Sequence, residues 1–198
     1  MPNKTGAGEI APTEHRIGET GLSLGAVNRL DDLAFVEKFG DVAEHSPWVA
    51  EYALGIRPFL NREAMITAFT DALHQARRDA QLDLIRAHPD LAGKAALAGD
   101  LTADSAHEQR GAGLDQLNPD EFRRFIGLNE RYRTKFGFPF IFAVKGADKL
   151  SILDGFEVRL NNAVDTEFAT ALEQIARIIR FRIEERVVDN GQGSDADR

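Results

Sequence analysis

The 198-residue chain contains no cysteine. That removes disulfides, thiolate metal sites and a cysteine nucleophile together, and it is compatible with a reducing cytoplasm, the expected location. No apolar run approaches the roughly 20 residues needed to cross a bilayer, so no membrane association is expected. The first twenty residues lack an apolar core, so no secretory signal is expected. Positive charge is in deficit: 24 Lys and Arg face 32 Asp and Glu, a net charge of −8, which argues against wrapping nucleic acid or docking on anionic lipid. An anionic small substrate stays open, because a pocket can be locally basic in an acidic protein. There is no His-Glu-x-x-His, no internal repeat and no convincing partner strand for the one extended apolar run.

What is present is helical periodicity. Hydrophobic content of 43% and charged content of 28% are ordinary for a soluble globular protein. Residues 1–21 and 190–198 read as flexible polar tails around a domain spanning 22–189. The spacing predicts helices over Asn28–Phe39, from Ser46-Pro47-Trp48 to Ile56, and from an Asn61 cap to Ala76. Further helices are expected over Asp79–Ala87, from Pro89 to Leu97, and from Thr102 or Ser105 to Gly111 or Gly113. Asn118-Pro119 starts a long helix that Gly137 ends, Asp148–Asn161 follows, and Asn162–Asp189 is the last and longest. Phe140–Val144 reads as an extended segment. The class is all-α, a compact helical bundle with one irregular stretch near 138–144.

Several residues could carry chemistry. His88 precedes Pro89, which breaks a helix. The plain reading of a lone histidine is a surface or core residue. At a junction, however, the imidazole projects from the end of a helix, and free amides at the next helix start would suit an anion. Imidazole also titrates near neutrality and moves protons in either direction. Ser105, Glu108 and Gln109 stand at i, i+3 and i+4, on one helix face. Ser-x-x-Glu is equally a capping box, and the two readings are compatible. His107 lies about 100° round that helix and points elsewhere. Phe138–Phe142 must be partly core, yet an unpaired extended segment needs partners for its amides, and a ligand could supply them. Arg159 reads as solvated or as a pocket arginine for carboxylate or urea-like oxygens.

The order and spacing of these pieces are similar to those of the 2-oxo-4-hydroxy-4-carboxy-5-ureidoimidazoline (OHCU) decarboxylase family. The resemblance runs from about Leu30 to Val187, through Ser46-Pro-Trp-Val-Ala-Glu51, Arg57-Pro-Phe59, His88-Pro-Asp-Leu-Ala92 and Ser105-x-x-Glu-Gln109. It continues through Ala112-Gly-Leu114, Leu128-Asn129, Lys135-Phe-Gly-Phe-Pro-Phe-Ile141 and Arg159-Leu-x-Asn162.

The resemblance implies an all-helical, cofactor-free and metal-free homodimer acting on a small ureidoimidazoline carboxylate and yielding (S)-allantoin. It assigns His88 as catalytic acid/base and Glu108 as its partner. Pro89, Ser105 and Gln109 would bind substrate, the main chain of Phe140, Ile141, Phe142, Ala143 and Val144 would hold its amide edge, and Arg159 would lie in or beside the pocket. The competing expectation is a non-catalytic binding or interaction module of the same fold.

Overall fold

In a computed structural model the chain is described over residues 21–188. Of the tails expected at 1–21 and 190–198, all but Gly21 lies outside the described residues, as does Asp189. In chain order the elements are β1 (Leu22–Ser23), α1 (Leu24–Arg29), α2 (Asp32–Phe39), α3 (Trp48–Leu54), α4 (Arg62–Gln75) and α5 (Arg78–Ala87). They continue as α6 (Lys94–Ala98), α7 (Ala103–Gly111), α8 (Pro119–Phe136), α9 (Lys149–Arg159), α10 (Val164–Arg186) and β2 (Val187–Val188). The all-α class holds.

The 23-residue helix α10 is the spine, packing on α4, α5 and α8. Its inward face presents Phe168, Ala171, Leu172, Ile175, Ile179 and Ile183, spaced at three and four residues as an amphipathic helix requires. Each fully buried aliphatic side chain of this kind contributes about 1.5–3 kcal/mol. Two aromatic clusters fill the interior. Phe35, Phe39, Phe59 and Phe69 join α2 to α4. Phe125, Tyr132 and Phe156 join α8 to α9, with Phe140 stacked on Phe156 at 3.8 Å between centroids.

Most helix starts have a local cause. Asn61 accepts from the Ala64 amide at 2.7 Å. Asn118 and Glu121 form a capping box with Pro119 in the first turn, and Asp148 with Ser151 forms another. Gly137 ends α8 at φ +76°, where an L side chain would be strained.

Four sequence expectations are corrected. The single helix over Asn28–Phe39 is two, because Asp31 accepts from the Ala34 amide at 2.8 Å and starts α2 afresh, while Arg57 takes the Leu30 carbonyl at 2.7 Å. Ser46 makes no side-chain cap on α3, whose N-cap is Pro47. Pro89 does not open a helix. Asp90 is drawn to Arg133 at 2.8 Å, and the Leu91 carbonyl accepts from Asn129 at 2.9 Å. The Ala92 amide donates to Gln109 at 3.0 Å, with Ala92 at φ +50°. These tertiary bonds hold the backbone out of helical geometry, and α6 starts only at Lys94. Finally, the last helix stops at Arg186, and Val187–Val188 pairs in parallel with Leu22–Ser23.

Candidate active site

Helix α5 closes on His88, whose amide donates to the Ile85 carbonyl while its backbone turns extended (ψ 139°) ahead of Pro89. The ring folds inward and is 6% exposed. Its Nδ1 lies 2.9 Å from the Leu84 carbonyl. A carbonyl only accepts, so Nδ1 carries the hydrogen and Nε2 presents a lone pair. Among the described residues Nε2 is buried and has no hydrogen-bond partner. Burial pushes the imidazole down to about 4, against the Leu84 carbonyl and the Glu44 carboxylate, which favour the charged form. The expectation of a near-neutral pKa is therefore corrected: at pH 7 the unliganded ring is neutral.

Thr102, not Ser105, caps α7, its Oγ1 accepting from the Ser105 amide at 3.3 Å. Ser105 is thereby free of capping duty one turn into the helix. Its hydroxyl donates to Glu44 at 2.9 Å and accepts from Arg182 at 3.1 Å. Glu108 grips Arg182 with both oxygens, at 2.8 and 2.9 Å. The expected pairing of Glu108 with the His88 ring is thus not what the geometry gives; the arginine takes both carboxylate oxygens, and a backbone carbonyl orients the imidazole. Gln109 spends its oxygen on the Ala92 amide, leaving its NH2 group as an uncommitted donor.

The wall opposite α7 is the irregular strip after Gly137. The Ile141 carbonyl accepts from Arg159 at 2.7 Å, and the Ala143 amide donates to Gln174 at 3.0 Å. Successive residues of an extended chain alternate in direction, so residues 141 and 143 are held from one side. The amides and carbonyls of Phe140 and Phe142 have no hydrogen-bond partner among the described residues and form the other edge.

One cavity, about 30 Å³ in volume, collects most of these groups. His88, Pro89, Ser105, Glu108 and Gln109 line it on one side, and Phe140, Ile141, Phe142 and Val144 on the other. Two expected residues are not on the wall. Ala143 points its amide away, to Gln174. Arg159, expected in or beside the pocket, lies behind the strip. Its guanidinium binds Glu167 at 2.8 and 2.5 Å and sits 4.4 Å over the Phe140 ring, so it braces the wall from behind, next to the pocket and not on its lining.

The residues missed are Arg182 and Glu44, with Leu91 and Ile178 completing the lining. Arg182 is 2% exposed; burial opposes its charge, but Glu108 and Glu44 outweigh burial and hold the guanidinium firmly protonated. Its signal was legible: it interrupts the apolar stripe between Ile179 and Ile183. Burial pushes the Glu44 carboxyl up, yet Arg182 and the Thr102 and Arg182 hydrogen bonds prevail and lower it. Among the described residues no three His, Asp or Glu side chains are grouped to hold a metal ion.

A family model described as OHCU decarboxylase matches residues 28–184. The chain is 44% identical over 165 residues to the 2-oxo-4-hydroxy-4-carboxy-5-ureidoimidazoline decarboxylase of Haloferax volcanii, covering 83% of this chain and 96% of that one. It is 35% identical over 162 residues to the Mus musculus enzyme of the same name, covering 82% and 91%. Among solved structures, an (S)-allantoin synthase superposes with a TM-score of 0.64 at 27% identity, over 82% of this chain and 53% of that chain. A structure of OHCU decarboxylase in the presence of (S)-allantoin shares the fold, with a TM-score of 0.59 at 21% identity, over 72% of this chain and 92% of that one.

Proposed function

The chain belongs to the OHCU decarboxylase family and is a carboxy-lyase, and from that premise we propose that it converts 2-oxo-4-hydroxy-4-carboxy-5-ureidoimidazoline to (S)-allantoin in urate degradation, with His88 as general acid/base. The observation that carries the reading is the buried, unpartnered Nε2 of His88 on a cavity wall shared with Ser105, Glu108 and Gln109.

The substrate's own chemistry supplies the electron sink. The carbon that bears the carboxylate also bears a hydroxyl, and it adjoins a ring C=N. Breaking the carbon–carboxylate bond releases carbon dioxide. The bonding pair forms a C=C with the neighbouring carbon, and the C=N pair moves to nitrogen, which takes a proton. The resulting enol becomes allantoin when its hydroxyl proton leaves and the ureido-bearing carbon receives a proton on one face. One proton enters overall.

A neutral imidazole with a bare Nε2 suits this exchange: it accepts the hydroxyl proton and, holding it weakly, passes it to carbon. General acid–base catalysis of this kind contributes roughly 10²–10⁴-fold. The Gln109 NH2 group and the open edge of Phe140 and Phe142 hold the ring's amide edge, and Glu108 stands at the cavity through Arg182. The face that His88 covers sets the hand of the product.

The test generates the unstable substrate with upstream enzymes and follows optical activity. Wild-type protein should convert the slow racemic background into rapid formation of one enantiomer, and His88→Ala should return the background rate with the fold intact. An unchanged background with wild type refutes the reaction; retained turnover in His88→Ala refutes the catalytic role. The proposal extends to a cytoplasmic homodimer, which a monomer mass by light scattering would refute.

A further inference from the structure

Glu44 is 1% exposed, lies off the cavity wall, and takes no part in the proton transfer described above. It comes from the helix-free loop between α2 and α3, where Val42 and Ala43 pack inward and exposed His45 takes φ +49°. A residue with a Cβ adopts that conformation only where its surroundings enforce it. The reversal at His45 and the Ser46 amide's bond to the Ala43 carbonyl at 2.9 Å turn the carboxylate of Glu44 into the protein.

There it receives three donors. Oε1 accepts from the Thr102 hydroxyl at 2.8 Å. Oε2 accepts from the Ser105 hydroxyl at 2.9 Å and from Arg182 at 3.0 Å. The consequence falls on Ser105, which does line the cavity. A serine hydroxyl has one hydrogen and two lone pairs. An ionised carboxylate only accepts and a guanidinium only donates. The hydrogen of Ser105 is therefore committed to Glu44, one lone pair is committed to Arg182, and the second lone pair is what remains for a ligand.

We propose that Glu44 is a positioning residue that fixes the Ser105 hydroxyl as a hydrogen-bond acceptor toward the cavity, so that this point of the site selects an N–H edge of the ligand and rejects a carbonyl. The inference rests on the decarboxylase reading for the identity of that ligand, whose ureido group and ring both offer N–H donors. An amide in place of the carboxylate changes the polarity. Gln at 44 has one oxygen for the donors of Thr102, Ser105 and Arg182, and its NH2 group can donate to Ser105. The serine hydrogen is then released to point into the cavity, against the substrate N–H.

The experiment measures steady-state kinetics and urea unfolding of full-length wild type, Glu44→Gln, Ser105→Ala and the double variant. Glu44→Gln should raise KM about tenfold while kcat changes less than about threefold, the size of one misdirected hydrogen bond. In the Ser105→Ala background the same substitution should change KM by less than about twofold. An equal effect with and without Ser105 overturns the proposal, as does an unchanged KM. Where Glu44→Gln does not fold, Glu44→Asp keeps the charge but draws it back, and its KM effect must likewise vanish without Ser105. A wild type without turnover refutes the decarboxylase reading instead. The hold of Glu44 on Ser105 is then read without substrate: the two substitutions must be non-additive in the unfolding equilibrium, and additivity overturns the proposal.

Discussion

Acid should destabilise this protein through His88, by an amount that the geometry fixes. The ring is buried neutral, with a pKa of about 4 in the folded chain, against about 6.5 in the unfolded chain. Between these values the unfolded chain binds the proton and the folded chain does not, so stability is complete above about pH 6.5 and falls as pH drops toward 4. The shift spans about 2.5 pH units, or roughly 3.4 kcal/mol when both states are protonated. At pH 5 the loss is already about 2 kcal/mol. Surface carboxylates also contribute to the pH dependence, so the quantity to measure is a difference of differences. Wild type and His88→Gln are unfolded in urea at pH 7.5 and pH 5. The wild type should lose about 2 kcal/mol more than the variant between the two conditions. Equal losses would mean that the ring reaches water or a carboxylate in the folded state, and the neutral-imidazole chemistry would fall with that result.

Arg182→Met should cost about 3–5 kcal/mol, measured by chemical denaturation, because it strands the Glu44 and Glu108 carboxylates beside each other without their shared cation. Arg159→Met should destabilise comparably by exposing the wholly buried Glu167 to no guanidinium. Adding Glu167→Leu should recover most of that loss but not a raised KM, since the Ile141 carbonyl stays unheld. Gly155→Ala places a methyl 3.0 Å from Cε2 of Phe142 and 3.5 Å from Cζ of Phe140. The gain in helix propensity, about 1 kcal/mol, offsets the crowding in thermal melts, while the displaced strip should raise KM several-fold. Unchanged kinetics in that variant would separate the strip from the substrate.

The sequence spoke clearly where one residue decides a local matter. Asn61, Asn118 and Gly137 mark helix boundaries because the cap or the positive φ is a property of that residue and its immediate neighbours. The grouping of Ser105, Glu108 and Gln109 followed from helix geometry alone. The errors came where distant groups overrule local preference. Pro89 favours a helix start, but Gln109, Asn129 and Arg133 claim the residues that follow it, over separations of 17 to 43 positions along the chain. Arg159 and Arg182 each sit on the buried face of an amphipathic helix, and nothing in periodicity says which lines the cavity. That depends on which carboxylates the fold brings near, Glu167 for one, Glu44 and Glu108 for the other. Glu44 had no legible signal at all, since its inward turn depends on the backbone of His45.

The two-residue sheet sets Leu22 beside Val187, so the described domain is entered and left at neighbouring points. A body with its doorways side by side can be spliced into a surface loop of another chain, or have its ends joined and be reopened elsewhere, without tearing any helix. Such a domain travels well between genes: it brings its chemistry along and asks of its host only a short gap between two adjoining residues.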